Sequence, residues 1–161
     1  MKRILFILTL LALLGGAREA AAQVSGVAIG PKIGFYLSSG KPAIGAIGEI
    51  PISRELDFEP GIETVLGITN ATVLIFDANL RYSFTIAGET LRPFVMGGLG
   101  INNTSISVGL GSSASSTDLQ LNLGGGLVFN SRSLIQYWAG LKIYVLNGSD
   151  ALLQGGVLFY L

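Results

Sequence analysis

The 161-residue sequence contains no histidine and no cysteine. Without histidine there is no Ser-His-Asp triad and no imidazole metal site. Without cysteine there is no disulfide, no thiolate metal site and no residue to carry a lipoprotein anchor. Charge is scarce too: 12% of residues are Asp, Glu, Lys or Arg, ten of each sign. Such a balance offers no electrostatic reason to bind nucleic acid. Beyond residue 14 no apolar run approaches the roughly 20 residues that a membrane-spanning helix needs. Yet half of the chain is apolar, so a large greasy surface must be placed somewhere other than on a long helix.

The beginning of the chain has a recognisable three-part build. Met1-Lys2-Arg3 is basic, Ile4 to Leu14 is almost unbroken apolar sequence, and Ala20-Ala21-Ala22 supplies small residues. This is the pattern of a secretory signal, with cleavage expected before Gln23. The alternative is an uncleaved anchor, for which the run is short. Without residues 1–22, seven bases and nine acids remain, a net charge of −2. The remaining length suits one domain, residues 23–161.

Within that domain glycine is abundant and scattered, 23 residues in all, which disfavours long helices. Apolar residues instead recur with period two, as in strands with two unlike faces. Eight segments show it: 26–37, 43–52, 56–66, 72–84, 90–102, 118–129, 134–146 and 151–161. In 72–84, Leu74, Phe76, Ala78, Leu80, Tyr82 and Phe84 oppose Asp77, Asn79, Arg81 and Ser83. The connections carry turn residues, as in Ser38-Ser39-Gly40-Lys41-Pro42 and Asn147-Gly148-Ser149-Asp150. Only Asn103 to Thr117 is long. Its serine and glycine content predicts a flexible loop. The strands exceed the usual five or six residues and match the 9 to 11 that cross a bilayer at a tilt.

All eight segments share one asymmetry. Lys32, Glu49, Glu59, Glu63, Asp77, Arg81, Arg92 and Lys142 lie on the less apolar face, with Asn79, Asn122, Gln120, Gln136, Gln154 and many glycines. The opposite face carries no charge. A water-soluble barrel would turn the apolar face inward. A membrane barrel turns it outward and keeps polar groups in the lumen. The aromatics favour the second arrangement. If both chain ends face the periplasm, Phe58, Tyr82, Phe84, Phe129, Tyr137 and Phe159 all fall outward at one rim. An interfacial depth suits such rings. An even strand number is also what bacterial barrels have.

Three stretches resemble a known family. Leu91-Arg92-Pro93-Phe94-Val95-Met96-Gly97-Gly98-Leu99-Gly100-Ile101 is similar to a glycine-rich strand of small outer-membrane barrels. Leu121-Asn122-Leu123-Gly124-Gly125-Gly126-Leu127 resembles the strand that follows it. The terminal segment, with Gln154, Gly156, Phe159 and Leu161, resembles the C-terminal strand read by the barrel-assembly machinery, although those strands usually end in phenylalanine. The chain therefore resembles the OmpA/OmpX-like superfamily. That resemblance implies an all-β, eight-stranded antiparallel up-and-down transmembrane barrel in a bacterial outer membrane. It implies outer-membrane lipid and the assembly machinery as partners. It does not imply an activity, because members of one fold differ in function. The peptidoglycan-binding half of some relatives is not expected after Leu161.

No catalytic constellation emerges. The lack of histidine argues against the acyltransferase and deacylase barrels that act on lipid A, and against an aspartate–histidine barrel protease. Glu59 and Glu63 share a face, but four residues along a strand separate them by about 13 Å. Their expected role is pairing with lumen bases, since an unpaired charge in a narrow barrel is costly. The glycine clusters lack the lysine and the helix of a phosphate loop. No cofactor or metal is expected, and the chain is expected to be a monomer. Eight strands leave a lumen that side chains can fill, here Tyr36, Phe94, Trp138, Tyr144 and Tyr160. The expected function is a non-enzymatic membrane barrel with a structural or surface-interaction role. Two alternatives stand beside it: a narrow barrel that binds or passes a small hydrophobic molecule, aided by Pro51, Pro60 and Pro93, and a soluble periplasmic binding barrel.

Overall fold

The computed structural model describes residues 26–84, 91–108, 112–129, 131, 133–145 and 150–161. The expected signal segment, residues 1–22, lies outside them. Eight strands form: β1 (Ala28–Tyr36), β2 (Lys41–Pro51), β3 (Leu56–Val65), β4 (Ala71–Ser83), β5 (Arg92–Val108), β6 (Ser112–Phe129), β7 (Ile135–Tyr144) and β8 (Asp150–Tyr160). Each pairs antiparallel with the next, and β1 pairs with β8 to close the barrel. Closure removes the exposed edges that an open sheet would leave. We call the rim that carries Ala28 and Tyr160, a cross-strand pair, the lower rim.

Tight turns set the register. Gly40 has φ 65° and donates its N–H to Tyr36 O at 2.9 Å, so the β1–β2 turn needs a residue that tolerates the left-handed region. At the lower rim Ser53 Oγ accepts from the Leu56 N–H at 3.1 Å, and Ile52 N–H reaches Leu56 O at 2.9 Å. This holds the β2–β3 turn together without glycine.

The face assignment is inverted relative to a water-soluble barrel. Ile143 is 43% exposed, whereas Glu63 is 2% and Arg81 0% exposed. Leu80, Leu99, Leu119 and Leu153 point outward in the same way. The interior holds two apolar layers. The lower one joins Ala28, Ile47, Phe94, Met96, Val128, Trp138 and Leu158, and the upper one joins Tyr36, Ala43, Ile75, Tyr144 and Leu152.

One expectation fails. Residues 103–108 and 112–117 are strand, not loop. β5 runs on to Val108 and β6 starts at Ser112, paired through Asn103↔Thr117, Ser105↔Ser115 and Val108↔Ser112. The hairpin rises past β7, whose uppermost partner on β6 is Asn122. Serine and threonine composition predicted flexibility, but a ladder fixed by the paired strands below it overrides that preference.

Candidate functional site

The polar face of the strands becomes a connected network inside the lumen. β1 contributes Lys32, β2 Glu49, β3 Glu59 and Glu63, β4 Asp77, Asn79 and Arg81, β6 Asn122 and β7 Lys142. All of these side chains are buried. Glycine on neighbouring strands makes their approach possible. A Cβ at Gly98 would fall on Ala78 O, and one at Gly126 on Ala139 O. Gly98 stands opposite Asn79 and Asn122 in the ladders.

The network runs from one end of the barrel to the other. Lowest, Tyr160 Oη donates to Glu49 Oε2 at 2.5 Å. Arg81 Nη1 pairs with Glu49 and lies 3.3 Å from Glu59 Oε2. Glu49 and Glu59 therefore share one guanidinium, which also lies 4.5 Å from the Phe94 ring centre. Asn79 Nδ2 donates to Glu59 Oε1 at 3.5 Å, and Asn122 Nδ2 bridges Asn79 Oδ1 (3.2 Å) and Asp77 Oδ1 (2.8 Å). Lys142 Nζ donates to Asp77 Oδ2 at 2.6 Å. Lys32 pairs with Glu63 and stands 3.7 Å from Asp77. Uppermost, Tyr36 Oη and Tyr144 Oη donate to Glu63 Oε1 at 2.5 and 2.9 Å.

Seven of the eight expected charges thus form one assembly. It holds four acids, Glu49, Glu59, Glu63 and Asp77, and three bases, Lys32, Arg81 and Lys142. The three tyrosine hydroxyls add donors that ionised carboxylates, acceptors only, require. Arg92 points inward but stays apart from these ion pairs, half-buried low in the lumen near Asp57 and Tyr160. Sequence reasoning treated Tyr36, Tyr144 and Tyr160 as filler and missed that their hydroxyls finish the network. It also passed over the amides Asn79 and Asn122 as connectors, and Asp57 as the acid that faces Arg92. The period-two parity that set all of them inward was the available signal.

The gap between Lys32, Glu63, Leu152 and Gln154 is too small for a water molecule. Above Tyr36 and Tyr144 a vestibule of about 310 Å³ opens between Lys41, Ile75, Asn102, Gln120 and Asp150. Among the described residues no cluster of acids fits a metal ion.

The expected aromatic group stands together as well. Phe58, Tyr82, Phe84, Phe129, Tyr137 and Phe159 all face outward near the lower rim. Phe129 lies opposite Tyr137, and Ile135 opposite Phe159. Tyr82 and Phe84 meet edge to face with ring centres 5.1 Å apart. In the last strand Gln154 and Gly156 face inward, while Phe159 and Leu161 face outward.

No protein-family model and no curated protein matches the chain. Solved structures do. The N-terminal β-barrel domain of Pseudomonas aeruginosa OprF superposes with a TM-score of 0.72 at 19% identity, over 86% of this chain and 98% of that one. Neisserial surface protein A superposes with a TM-score of 0.68 at 18% identity, over 85% and 98%. The outer-membrane enzyme PagL superposes with a TM-score of 0.51 at 16% identity, over 83% and 98%. The fold is that of the small eight-stranded outer-membrane barrels, and that fold accommodates both enzymes and non-enzymes.

Proposed function

We propose that the chain is a non-enzymatic bacterial outer-membrane barrel with a structural or surface-interaction role and a lumen closed by its own side chains. One observation carries this reading: an unbroken series of ion pairs and hydrogen bonds crosses the interior from Tyr160 to Tyr36 and Tyr144, while the outer wall below the polar top of the β5–β6 hairpin is dominated by apolar side chains. Hydrocarbon is the solvent in which that wall is stable, and water is not. The likeness to OprF and to Neisserial surface protein A supports the location and the surface role. The histidine-free composition and the committed pairing of Glu59 and Glu63 support the absence of catalysis.

In this reading the lower rim faces the periplasm, and its outward rings sit at the membrane–water boundary, where an apolar body meets a polar layer. Gln154, Gly156, Phe159 and Leu161 serve as the strand that the assembly machinery engages, and residues 1–22 direct export. The barrel acts as a monomer among outer-membrane lipids. The test joins fractionation to electrical recording. The protein should leave the membrane fraction only with detergent, and the refolded protein in planar bilayers should show no stable conductance of porin size. Release by salt or alkali alone would refute the location, and a steady open pore would refute the plug.

A further inference from the structure

The charges of the lumen stop short of its upper end. Glu63 on β3 and Asp77 on β4 face inward, and above them on the same inner face stand Val65, Ile75 and Val73. Ile68, in the turn between these strands, joins them on one side of the vestibule of about 310 Å³. The floor below is shut. The rings of Tyr36 and Tyr144 stack with centres 6.0 Å apart, and both hydroxyls donate to Glu63. An apolar wall at the open end of a lumen is stabilised by whatever takes it out of water.

The rest of the vestibule says what that occupant is. Lys41 on β2 stands beside the apolar wall, and Asp150 on β8 stands on the far side of β1. The two positions are two strand spacings apart, about 10 Å. Among the described residues neither side chain is in an ion pair. Asp150 Oδ1 accepts from the Ser38 N–H at 3.0 Å and the Ala151 N–H at 2.7 Å. These bonds hold the carboxylate in place and leave Oδ2 without a partner among the described residues. One charge of each sign disfavours two classes of ligand by repulsion. A simple anion drawn to Lys41 meets Asp150, and a simple amine drawn to Asp150 meets Lys41. A molecule with both charges at one end and an apolar group at the other satisfies both and covers the wall.

We propose that the vestibule binds a free α-amino acid with an aliphatic side chain. Its carboxylate pairs with Lys41, its ammonium with Asp150, and its side chain lies against Val65, Val73 and Ile75. The volume is at the lower end of the range for small-molecule pockets, which suits one amino acid and not a lipid. The stacked tyrosines stop the ligand from going further, so the site captures and does not conduct. The inference gives the surface-interaction role proposed above a ligand class, and rests on that reading for the compartment it samples.

The experiment refolds the whole barrel, labelled at its isoleucine methyl groups, in dodecyl maltoside, whose uncharged head does not compete for the two charges. The Ile75 and Ile68 methyl signals are followed by NMR during titration with four probes: L-leucine, N-acetyl-L-leucine, L-leucinamide and glycine. Leucine should shift both signals saturably. The other three lack the ammonium, the carboxylate and the apolar side chain in turn, and each should need a concentration about tenfold higher, the worth of one charge-assisted hydrogen bond or one buried aliphatic group. Lys41→Met should remove the advantage of leucine over leucinamide. Asp150→Asn, which keeps an oxygen for the two backbone donors, should remove its advantage over N-acetyl-leucine. Absence of a saturable shift with leucine, or equal half-saturation by leucine and any of the other probes, overturns the proposal in the unaltered protein, whether or not the variants fold. Neither result bears on the membrane location or the plug, which fractionation and conductance measure separately.

Discussion

Arg81 is the residue on which the lower half of the lumen turns. It is fully buried, it separates Glu49 from Glu59 across β2 and β3, and its guanidinium lies against Phe94. Arg81→Met would leave two carboxylates facing each other with no cation between them. Breaking a buried pair on one side costs about 3–5 kcal/mol, and urea unfolding from micelles, followed by Trp138 fluorescence, should show a loss of that size. Adding Glu49→Gln and Glu59→Gln to the same variant should recover at least half of it, because the repulsion is then gone. Glycines define the other sensitive positions. Gly98→Val would drive a side chain into Ala78 O and the Asn79 side chain, so β4 and β5 must part. The expected result is loss of the folded, heat-modifiable band on an unboiled gel, whereas Gly67→Ala in the upper β3–β4 turn, where nothing stands within 4 Å of the new Cβ, should retain the band with a stability loss of about 1 kcal/mol for its positive φ.

At the scale of the strands, the sequence was legible wherever one face differs from the other. Asp77, Asn79, Arg81 and Ser83 alternate with Phe76, Ala78, Leu80 and Tyr82, and that parity alone oriented β4 correctly. It oriented the other seven strands as well, because a one-residue slip would put charges into the outer wall. Parity does not reveal which inward groups meet. The link from Asn79 through Asn122 to Asp77 depends on the relative stagger of β4, β5 and β6, and no residue pattern within one strand encodes that stagger. Parity also fades where both faces are polar. Ser105, Ser107, Ser113 and Ser115 gave no two-sided contrast, so the top of the β5–β6 hairpin read as a loop. This hairpin makes a test of its own. Removing 107–113 and joining the strands with Asn-Gly, a two-residue turn suited to a tight hairpin, should leave the heat-modifiable fold and the unfolding midpoint nearly unchanged. The strands that lead into this segment already run past the top of β7, whose uppermost partner on β6 is Asn122.

For the whole molecule, orientation is the property that the pattern of side chains predicts and a label can check. The chain has no cysteine, so a single introduced thiol reports one place. Ser39→Cys, in the exposed upper β1–β2 turn, should react on intact cells with a membrane-impermeant maleimide. Arg54→Cys, in the exposed lower β2–β3 turn, should react only after the cells are opened. The reverse pattern would place the ring-lined rim on the outside. The same whole-molecule view explains why the charges are tolerated. Lys32, Glu63, Asp77 and Lys142 come from four different strands and meet only when the barrel has closed, so their mutual attraction becomes available at the last step of folding.

The pairing of β1 with β8 has a consequence for how the protein is made. Until residues 150–160 arrive, the ribbon of seven strands ends in two rows of unbonded amides, and neither row can be left against lipid tails. A ribosome-stalled or clipped product lacking its final turn and strand has no intermediate resting form in the bilayer. Insertion of this chain must therefore be all or nothing, and its earliest strand must wait, shielded by some other surface, for its latest.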